Sequence, residues 1–293
     1  MMSSLKITTY NTHLFLGTAL GAAPEYEDET RLEMLIKQLR KSKSDVITLC
    51  EVWADSSKEK LIKELCGKFP YSYYPKKKNN PLKLGAGLLL LSKHEVIDSS
   101  FTQFEDLVSS DRWSQKGFIE AKLKYGPNDL IYILTTHTQS GNNSDEIQAR
   151  KNNFQQIYNS IRDINLSIPV FVTGDFNVIG EYHKGAETDE YRTLKKNFGV
   201  QGFVDAYRTL YKQAKINHGF TYNGYKNKLI PIFEPKDYNV QQRLDYIFIN
   251  QAAANVVIDD LKVDKNYLYS DTKEPRLMDI SDHYPISAKF SFL

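Results

Sequence analysis

Apolar residues recur along the chain with two kinds of spacing, one typical of buried strands and the other of amphipathic helices. Short apolar and β-branched runs predict strands at "LKITTYN" from residue 5, "DVITLCE" from residue 45 and "IPVFVTGD" from residue 168. Between the first two runs, Leu32, Leu35, Ile36 and Leu39 have the spacing of one helix face. This mixture of strands and helices predicts an α/β fold with mixed sheets and outer helices.

The same patterns continue to the end of the chain. A charged helix is predicted over residues 57–68, and a long polar helix from residue 145 to about residue 163. Further strands are predicted at "GAGLLLLSK", "GFIEAKLKY", "LIYILTTH", "LDYIFIN", "NVVIDDLKV" and "ISAKFSF". No repeat, low-complexity tract or linker rich in Pro, Gly or Ser divides the chain. We therefore predict a single domain over residues 1–293.

The composition is that of a soluble globular protein with a large core. Hydrophobic residues make up 41% and charged residues 25% of the 293 positions. The formal net charge is +2 and the isoelectric point is about 8.2, whereas domains that bind polyanions typically exceed ~9. Nucleic acid is therefore disfavoured as a partner, and we expect a monomer.

Three features of the sequence bear on the location of the protein and on its surface. No apolar run reaches the ~18 residues of a membrane helix. The first residues, "MMSSLKITTYN", begin a strand pattern without an apolar signal segment, so we expect a cytoplasmic protein or a secreted one whose leader was removed. The run "KKKNN" at residues 76–80 is interpreted as a solvated loop, with a role facing phosphate or a membrane as the alternative.

Polar residues of similar chemistry lie where the predicted strands begin or end. They are Asn11, Glu51, His137, Asp175, Asn177, Asp245, and the pair Asp282 and His283. Each of them alone could be a turn former or an ordinary polar residue. In α/β proteins, however, sites gather at strand ends, where loops present polar groups from a rigid sheet. Together these residues predict one functional site.

The chemistry of these side chains favours a magnesium-assisted hydrolysis. Carboxylate and amide oxygens are hard ligands that suit Mg²⁺, with Mn²⁺ as a substitute, and Glu51 is the acid that ends an apolar strand. The cysteine clusters and HExxH spacing of zinc sites are missing from the sequence. A histidine held by an acid can take a proton from water that attacks phosphorus, while a metal and a second histidine stabilise the phosphoryl charge.

Five motifs give these residues a family resemblance. In order, "YN", "CEVW", "GDFN", "LDYIF" and "SDHYP" resemble the endonuclease/exonuclease/phosphatase superfamily of Mg²⁺-dependent phosphoesterases, from Asn11 to His283. The resemblance implies a four-layer α/β sandwich, with two mixed central β-sheets flanked by helices. It also implies a catalytic dyad in "SDH", with His283 as the base and Asp282 as a nearby acid.

Within that superfamily, the sequence is most similar to the neutral and bacterial sphingomyelinases, which hydrolyse sphingomyelin to ceramide and phosphocholine. The similarity rests on "EVW", on "KGF" with Asp111 before it, on "THTQ", and on "GFTYN" with Asn227 followed by "QRLDYIF". Thr138 stands where this branch usually has leucine, and Cys50 where glutamine often precedes the glutamate.

The motifs imply a role for each residue at the metal and the water. Glu51 would bind Mg²⁺, and Asn11 would support the site where metal and phosphate meet. Asp175 would orient or activate the water. Asp245 would orient His137 or support the metal ligands.

Three further residues are implied on the phosphate side. Asn177 would hold a phosphoryl oxygen, and His137 would contact the phosphate in the transition state. Lys116 is a candidate for a phosphate contact or a loop switch, and the alternative is an exposed lysine in a mobile loop. The histidines outside the motifs, which are His13, His94, His183 and His218, are interpreted as ordinary polar residues.

Other functions remain open at this point. A DNA-cleaving nuclease is disfavoured by the weak positive charge, and a phosphoinositide phosphatase by the lack of a basic cluster beside the motifs. A catalytically silent lipid-binding module would not need every motif residue. A phospholipid substrate implies peripheral contact with a membrane surface, for which Tyr267, Leu268 and Tyr269 are candidates because tyrosine favours that interface. Alternatively, these three side chains pack on the protein.

Overall fold

Two mixed β-sheets lie face to face at the centre of the protein, with helices against their outer faces. The computed structural model describes residues 4–18, 27–78, 80, 82–126, 129–182, 185–251, 255–264, 268–270 and 277–293. Each sheet has six strands, with one parallel pair and otherwise antiparallel pairs among the described strands. The implied four-layer α/β sandwich is confirmed.

The first sheet has the strand order β13-β16-β1-β2-β4-β3. Its strands are β1 (Ser4–Leu14), β2 (Val46–Val52), β3 (Tyr71–Tyr73), β4 (Leu89–Ser92), β13 (Val256–Val263) and β16 (Ile286–Phe292). The second sheet has the order β5-β6-β7-β8-β12-β9. Its strands are β5 (Glu95–Gln103), β6 (Gly117–Lys124), β7 (Leu130–His137), β8 (Val170–Asp175), β9 (Val204–Asp205) and β12 (Asp245–Ile249).

Two short strand pairs and six α-helices complete the described structure. The pairs join β10 (Tyr222–Asn223) to β11 (Gln241–Gln242), and β14 (Leu268–Ser270) to β15 (Leu277–Asp279). The helices are α1 (Asp28–Lys41), α2 (Asp55–Leu65), α3 (Ser144–Arg162), α4 (Asp189–Val200), α5 (Ala206–Leu210) and α6 (Ile230–Phe233). Short 3₁₀ helices span Ser109–Trp113 and Pro235–Asp237. Among the described helices, none combines the length and hydropathy that a membrane span needs.

Each sheet is built around a parallel pair joined by a helix. Strands β1 and β2 are parallel and connected through α1, while β7 and β8 are parallel and connected through α3. A parallel connection of this kind brings the carboxyl ends of both strands to the same edge of the sheet. The two connections therefore present the polar residues that follow these apolar strands.

The period-two alternation of the strands fills three apolar layers. Leu88 and Leu90 pack between the two sheets, whereas Leu89 and Leu91 pack toward α1 and α2. In the second sheet, Phe171 faces the layer between the sheets, and the residues on either side of it face α3 and α4. Strands buried on both faces read as continuous apolar runs, which explains "LLLL" and "VFV".

The predicted helices are present, with shifted ends. The apolar face predicted for α1 is buried, and α3 begins at Ser144 because Asn143 and Glu146 form a capping box. Helix α2, predicted over residues 57–68, runs from Asp55 to Leu65 instead. An acid in its first turn favours the earlier start, because carboxylates stabilise helix amino ends.

A buried ion cluster supports the start of β12. Arg243 is fully buried and donates to Glu181 Oε1 at 2.8 Å and to Asp205 Oδ2 at 2.7 Å. Arg208 donates to the same Glu181 oxygen at 2.6 Å. Burial alone would raise the pKa of Glu181, but the two guanidinium groups outweigh it and lower that pKa. Since Arg243 precedes Asp245 by two residues, the cluster anchors the strand that carries this acid.

We predict that Glu181→Gln destabilises the protein by about 3–5 kcal/mol near neutral pH, because it leaves two buried guanidinium groups without their carboxylate. A lowered folded-state pKa contributes stability that is present above the unfolded pKa and is lost as pH falls through the folded one. The difference between wild type and Glu181→Gln should therefore shrink in acid. Urea unfolding at neutral and at acidic pH measures it.

Glu187→Gln is the matched control, because Glu187 pairs with Lys195 at a half-exposed position. Exposed ion pairs contribute roughly 0–1 kcal/mol, so this variant should unfold nearly as wild type does. Equal losses in the two variants would contradict the structural role given to Glu181.

Candidate active site

The residues predicted to form a site lie together at one edge of the two sheets. Those whose side chains lie within hydrogen-bond or close ionic distance of another member's side chain are Asn11, Glu51, His137, Asp175, Asp245 and His283. Asn177 joins this group through its backbone amide, and the other predicted residues are described below. The strand pairing explains the convergence, because Asp175 lies opposite both His137 and Asp245 in the second sheet.

Asn11 and Glu51 are the contribution of the first sheet. Asn11 Nδ2 donates to Glu51 Oε1 at 2.8 Å and to Asp175 Oδ2 at 2.9 Å. The backbone amide of His13 donates to Asn11 Oδ1 at 3.1 Å, which identifies the oxygen of that side chain and turns its nitrogen toward the carboxylates. Asn11 therefore orients the carboxylates of Glu51 and Asp175. The oxygens of these carboxylates are the ligand atoms available to a cation.

Asp175 lies at the centre of the site. Its Oδ2 is 3.7 Å from His137 Nε2 and 3.9 Å from His283 Nε2. Burial raises the pKa of Asp175 and the facing carboxylate of Asp245 raises it further, to about 7, although His283 and two hydrogen bonds partly oppose this. The centre of the site thus holds more negative charge than its histidine compensates.

Asn177 extends the site beyond the end of β8. Its backbone amide donates to Asp175 Oδ1 at 2.8 Å, and its side chain Nδ2 donates to the carbonyl oxygen of Thr138 at 3.1 Å. It adopts φ 50°, a left-handed conformation that asparagine tolerates better than most residues. Because an amide NH₂ group has two N–H donors, Asn177 can hold Thr138 and also donate to a further acceptor.

His283 is held by Asp245, not by its neighbour in sequence. Asp245 Oδ2 is 2.8 Å from His283 Nδ1, so Nε2 is the nitrogen that faces Asp175. Burial alone would lower the pKa of His283, but Asp245 and the other nearby carboxylates outweigh it and hold that pKa well above its ordinary value. Of the two roles predicted for Asp245, orienting His137 is therefore wrong, because its hydrogen-bond partner is His283; support of the metal ligands stays a prediction.

Asp282 lies next to His283 in sequence, but its closest polar contacts are with other side chains. Its Oδ1 accepts a hydrogen bond from Ser281 Oγ at 3.1 Å, and its Oδ2 lies 4.0 Å from His13 Nε2. Asp282 is a nearby acid, whose charge helps to raise the pKa of His283, whereas the hydrogen-bond partner of that imidazole is Asp245. His13, interpreted from sequence as an ordinary polar residue, stacks on Phe233 with ring centroids 4.4 Å apart and approaches the site through Asp282.

His137 and Lys116 form the remaining wall. Burial lowers the pKa of His137 well below its ordinary value, and the charges of Lys116 and His283 lower it further, so this imidazole is neutral near neutral pH. Lys116 is buried, and its Nζ donates to Asp111 Oδ2 at 2.7 Å and to the carbonyl oxygen of Thr138 at 3.2 Å. The interpretation of Lys116 as an exposed lysine is therefore wrong.

Three residues outside the predicted set hold the site in place. Arg31 is buried on the apolar face of α1 and donates to the carbonyl oxygens of Thr12 at 3.1 Å and Ile280 at 2.9 Å. Asn227 Nδ2 donates to the carbonyl oxygens of residues 281 and 282 at 2.8 and 3.0 Å, and Trp53 Nε1 donates to Glu51 Oε2 at 3.3 Å. The signal for Arg31 was available, since a lone arginine in an apolar stripe must find buried acceptors.

The oxygen and nitrogen atoms of the site form a ligand set that fits a divalent cation. Glu51, His137 and Asp175 offer ligand atoms within 4.8 Å of one another, and so do Asp175, Asp245 and His283. Asp245 Oδ1 is buried, and no described group donates to it. Several carboxylates that share one buried region suit a hard cation, because such a charge relieves their mutual repulsion. Glu51 remains partly accessible, which gives a cation a route to these oxygens.

The chain is similar to known proteins in sequence and in fold. The chain is 27% identical over 128 residues to a putative neutral sphingomyelinase of Drosophila melanogaster, a match that covers 41% of this chain and 28% of that protein. Sphingomyelinase C from Streptomyces griseocarneus has a similar fold, with a TM-score of 0.76 at 20% identity over 98% of this chain and 99% of that one.

A second kind of structure is similar as well. Zebrafish (D. rerio) TDP2, solved with a single-strand DNA product, matches with a TM-score of 0.71 at 19% identity over 98% of this chain and 99% of that one. The family match itself spans residues 8–283. It includes every residue assembled at the site, and this chain therefore belongs to the Endonuclease/Exonuclease/phosphatase family.

Proposed function

We propose that this protein is a Mg²⁺-dependent phosphodiesterase that hydrolyses sphingomyelin to ceramide and phosphocholine. The observation that carries the proposal is the position of His283 between two carboxylates, with Nδ1 bound to Asp245 and Nε2 directed at Asp175. A base held in this way beside a cluster of cation-binding oxygens suits the attack of water on a phosphodiester.

His283 acts as the general base in this proposal. The contact with Asp245 fixes the tautomer, so that Nε2 carries the lone pair that takes a proton from water. Asp245 then stabilises the imidazolium that results. Asp175, 3.9 Å from the same nitrogen, can orient the water by accepting its second hydrogen.

His137 and Asn177 act on the phosphoryl group. A neutral imidazole has one N–H group that can donate a hydrogen bond. Because the pKa of His137 is low, its imidazole is neutral near neutral pH. Its Nδ1 is buried and has no hydrogen-bond partner among the described residues. Donors aimed at oxygens that gain charge in the transition state are worth several kcal/mol in a buried site. Lys116 acts indirectly, because its ammonium group donates to the carbonyl oxygen of Thr138. The same oxygen accepts a hydrogen bond from Asn177, and Thr138 follows His137 in sequence.

Glu51 and Asp175 would hold the metal, and Asn11 would orient both carboxylates. A bound Mg²⁺ supplies Lewis-acid polarisation of the phosphoryl oxygens and neutralises part of their charge. Mn²⁺ has similar ligand preferences and should substitute.

The choice of sphingomyelin rests on likeness, not on a described headgroup pocket. The motifs "KGF", "THTQ" and "GFTYN" and the two sphingomyelinase relatives support it. The similarity to TDP2 supports a nucleic-acid phosphodiester as the second candidate. Of the membrane segment proposed from sequence, Tyr267 lies outside the described residues, as do the side chains of Leu268 and Tyr269.

Parallel assays with three substrates separate these candidates. With Mg²⁺ present, we expect phosphocholine release from sphingomyelin vesicles, no nicking of supercoiled plasmid and no inorganic phosphate from phosphoinositides. Plasmid nicking without phosphocholine release would reject the lipid substrate and favour the nuclease.

We predict that Asp245→Asn lowers kcat by about 10²–10⁴-fold, because an amide neither fixes the tautomer of His283 nor stabilises its charge. Asp245 helps to hold the pKa of His283 above its ordinary value, and the imidazole can accept a proton only above that pKa. The substitution should lower this pKa, so the acidic limb of the pH–rate profile should move to lower pH.

His283→Ala should lose at least as much activity while its unfolding remains close to that of wild type. Asp282→Asn is the matched comparison, and it should move the acidic limb less than Asp245→Asn does. A larger shift in Asp282→Asn would show that the sequence neighbour is the orienting acid after all.

We predict that Glu51→Gln weakens Mg²⁺ binding by at least the ~10–100-fold that loss of an outer-sphere partner costs. The substitution preserves size and polarity but removes an anionic oxygen. EDTA should silence the wild type, and Mg²⁺ or Mn²⁺ should restore it. Calorimetric Mg²⁺ titration and activity at increasing Mg²⁺ measure the change; unchanged curves, or wild-type activity in EDTA, would refute the metal assignment.

A further inference from the structure

Two loops beside the site form one surface that the catalytic proposal does not use. We define the basic loop surface by lysines 76–78 and Lys83 on one loop, Arg112 and Trp113 on the other, and Leu82 between them. Lysines 76–78 and Arg112 are exposed, and Lys83 is partly exposed. From sequence alone, the lysine run is interpreted as a solvated loop, with a role facing phosphate or a membrane as the alternative. Its setting in the structure favours the alternative.

Hydrogen bonds hold the two loops against each other. The backbone amide of Leu84 donates to the carbonyl oxygen of Trp113 at 2.7 Å, and that of Gln115 donates to Gly85 at 3.3 Å. The amide of Lys78 donates to the side chain of Gln115 at 3.1 Å. The lysines and the tryptophan, distant in sequence, therefore belong to one ordered surface.

Two large apolar side chains project from this surface. Leu82 is 77% exposed and Trp113 is 50% exposed. A single exposed apolar residue is ordinary, but two on adjoining loops within a basic rim are typical of an interaction site. The nearby carboxylate of Asp55 does not cancel the positive charge of this surface, because it already accepts a hydrogen bond from Lys58 Nζ at 3.0 Å.

The basic loop surface adjoins the catalytic centre. A cavity of about 450 Å³ lies between Leu82, Lys83 and the backbone of Gly85 on one side and Trp53 on the other. Trp53 Nε1 also donates to Glu51 Oε2 at 3.3 Å, and the ring centroids of Trp53 and His137 are 6.1 Å apart. Whatever binds this surface is therefore one side chain away from the proposed metal ligands.

We propose that the basic loop surface docks the protein on a bilayer that contains anionic phospholipid. Tryptophan and leucine insert at the boundary between headgroups and acyl chains, while lysine and arginine around them bind anionic headgroups. Each basic residue near such a surface strengthens binding about fivefold. The proposal rests on a lipid substrate for the adjoining site, and it adds the composition of the membrane that presents it.

The side chains fit a membrane better than a nucleic acid. A stacking platform needs open aromatic faces, but the guanidinium of Arg112 lies 5.2 Å from the centre of the Trp113 ring and covers one of them. Leu82 offers neither stacking nor hydrogen bonds to a nucleotide. A leucine surrounded by basic side chains binds most favourably where apolar acyl chains lie beneath anionic headgroups, as they do in an anionic bilayer.

The experiment measures binding to lipids that are not substrates. Vesicles of phosphatidylcholine alone and of phosphatidylcholine with phosphatidylserine are sedimented with the protein, without sphingomyelin. We expect the wild type to prefer the anionic vesicles at least about tenfold, and to be released by salt. Lys77→Ala/Lys78→Ala/Arg112→Ala should lose about 100-fold in binding. Leu82→Ser/Trp113→Ser should lose at least about tenfold.

Lys196→Ala/Val200→Ser on α4 is the matched control, because Val200 is 81% exposed and Lys196 is exposed on the same helix. It should bind as wild type does. Equal binding to both vesicles, or patch variants that bind as wild type, would overturn the proposal. So would a wild-type dimer that Leu82→Ser/Trp113→Ser dissociates, or loss of oligonucleotide binding alone in the triple variant.

Hydrolysis of detergent-dispersed sphingomyelin separates this proposal from the proposed function. Both patch variants should keep wild-type rates on that substrate, since docking is no longer needed. A wild type that binds anionic vesicles but hydrolyses no sphingomyelin would reject the substrate and keep the docking surface. A wild type that hydrolyses it but ignores anionic vesicles would reject the docking surface alone.

Discussion

The imidazole of His283 between Asp245 and Asp175 is the interaction on which the rest of the site depends. The two acids lie directly opposite each other on antiparallel strands, an arrangement that is unfavourable for like charges. His283 contacts Asp245 at 2.8 Å and approaches Asp175 at 3.9 Å, so below its raised pKa the cationic ring offsets part of the repulsion. Burial and the remaining repulsion from Asp245 raise the pKa of Asp175, and such a cluster of carboxylates suits the binding of a divalent cation. Charge compensation thus links the proposed base to the proposed metal site.

The surrounding structure is arranged to hold these groups rigidly. Glu51 and Asn177 both adopt left-handed backbone conformations, with φ of 58° and 50°, at the ends of strands from different sheets. Such conformations cost stability and persist only where neighbours enforce them. Arg31 supplies one constraint, because its guanidinium bonds carbonyl groups of two segments that are distant in sequence. A site held this firmly meets the geometric demands of catalysis better than one carried by loops alone.

Two expectations failed for reasons that concern distance along the chain. Adjacent residues suggested a dyad of Asp282 and His283, but the hydrogen-bond partner of His283 is Asp245 on β12, 38 residues away in sequence. Lys116, for which an exposed position was the alternative interpretation, is buried, and its Nζ donates to Asp111 and to the carbonyl oxygen of Thr138, 22 residues further along the chain. In each case the local pattern identified a residue of the right chemistry, while a contact with another part of the chain decided what it does.

The sequence by itself determined nine of the described strands, the apolar face of α1, the long helix α3, and the set of polar residues at the strand ends, but it did not indicate helix α4. These follow from periodicity and from chemical type, which act over a few residues. Tertiary structure alone decided which acid holds which histidine, that Asn11 turns its nitrogen to two carboxylates, and that lysines 76–78 share a surface with Trp113. The reason is physical: hydrogen bonds and charges act at about 3 Å, and only strand pairing and loop packing bring distant residues that close.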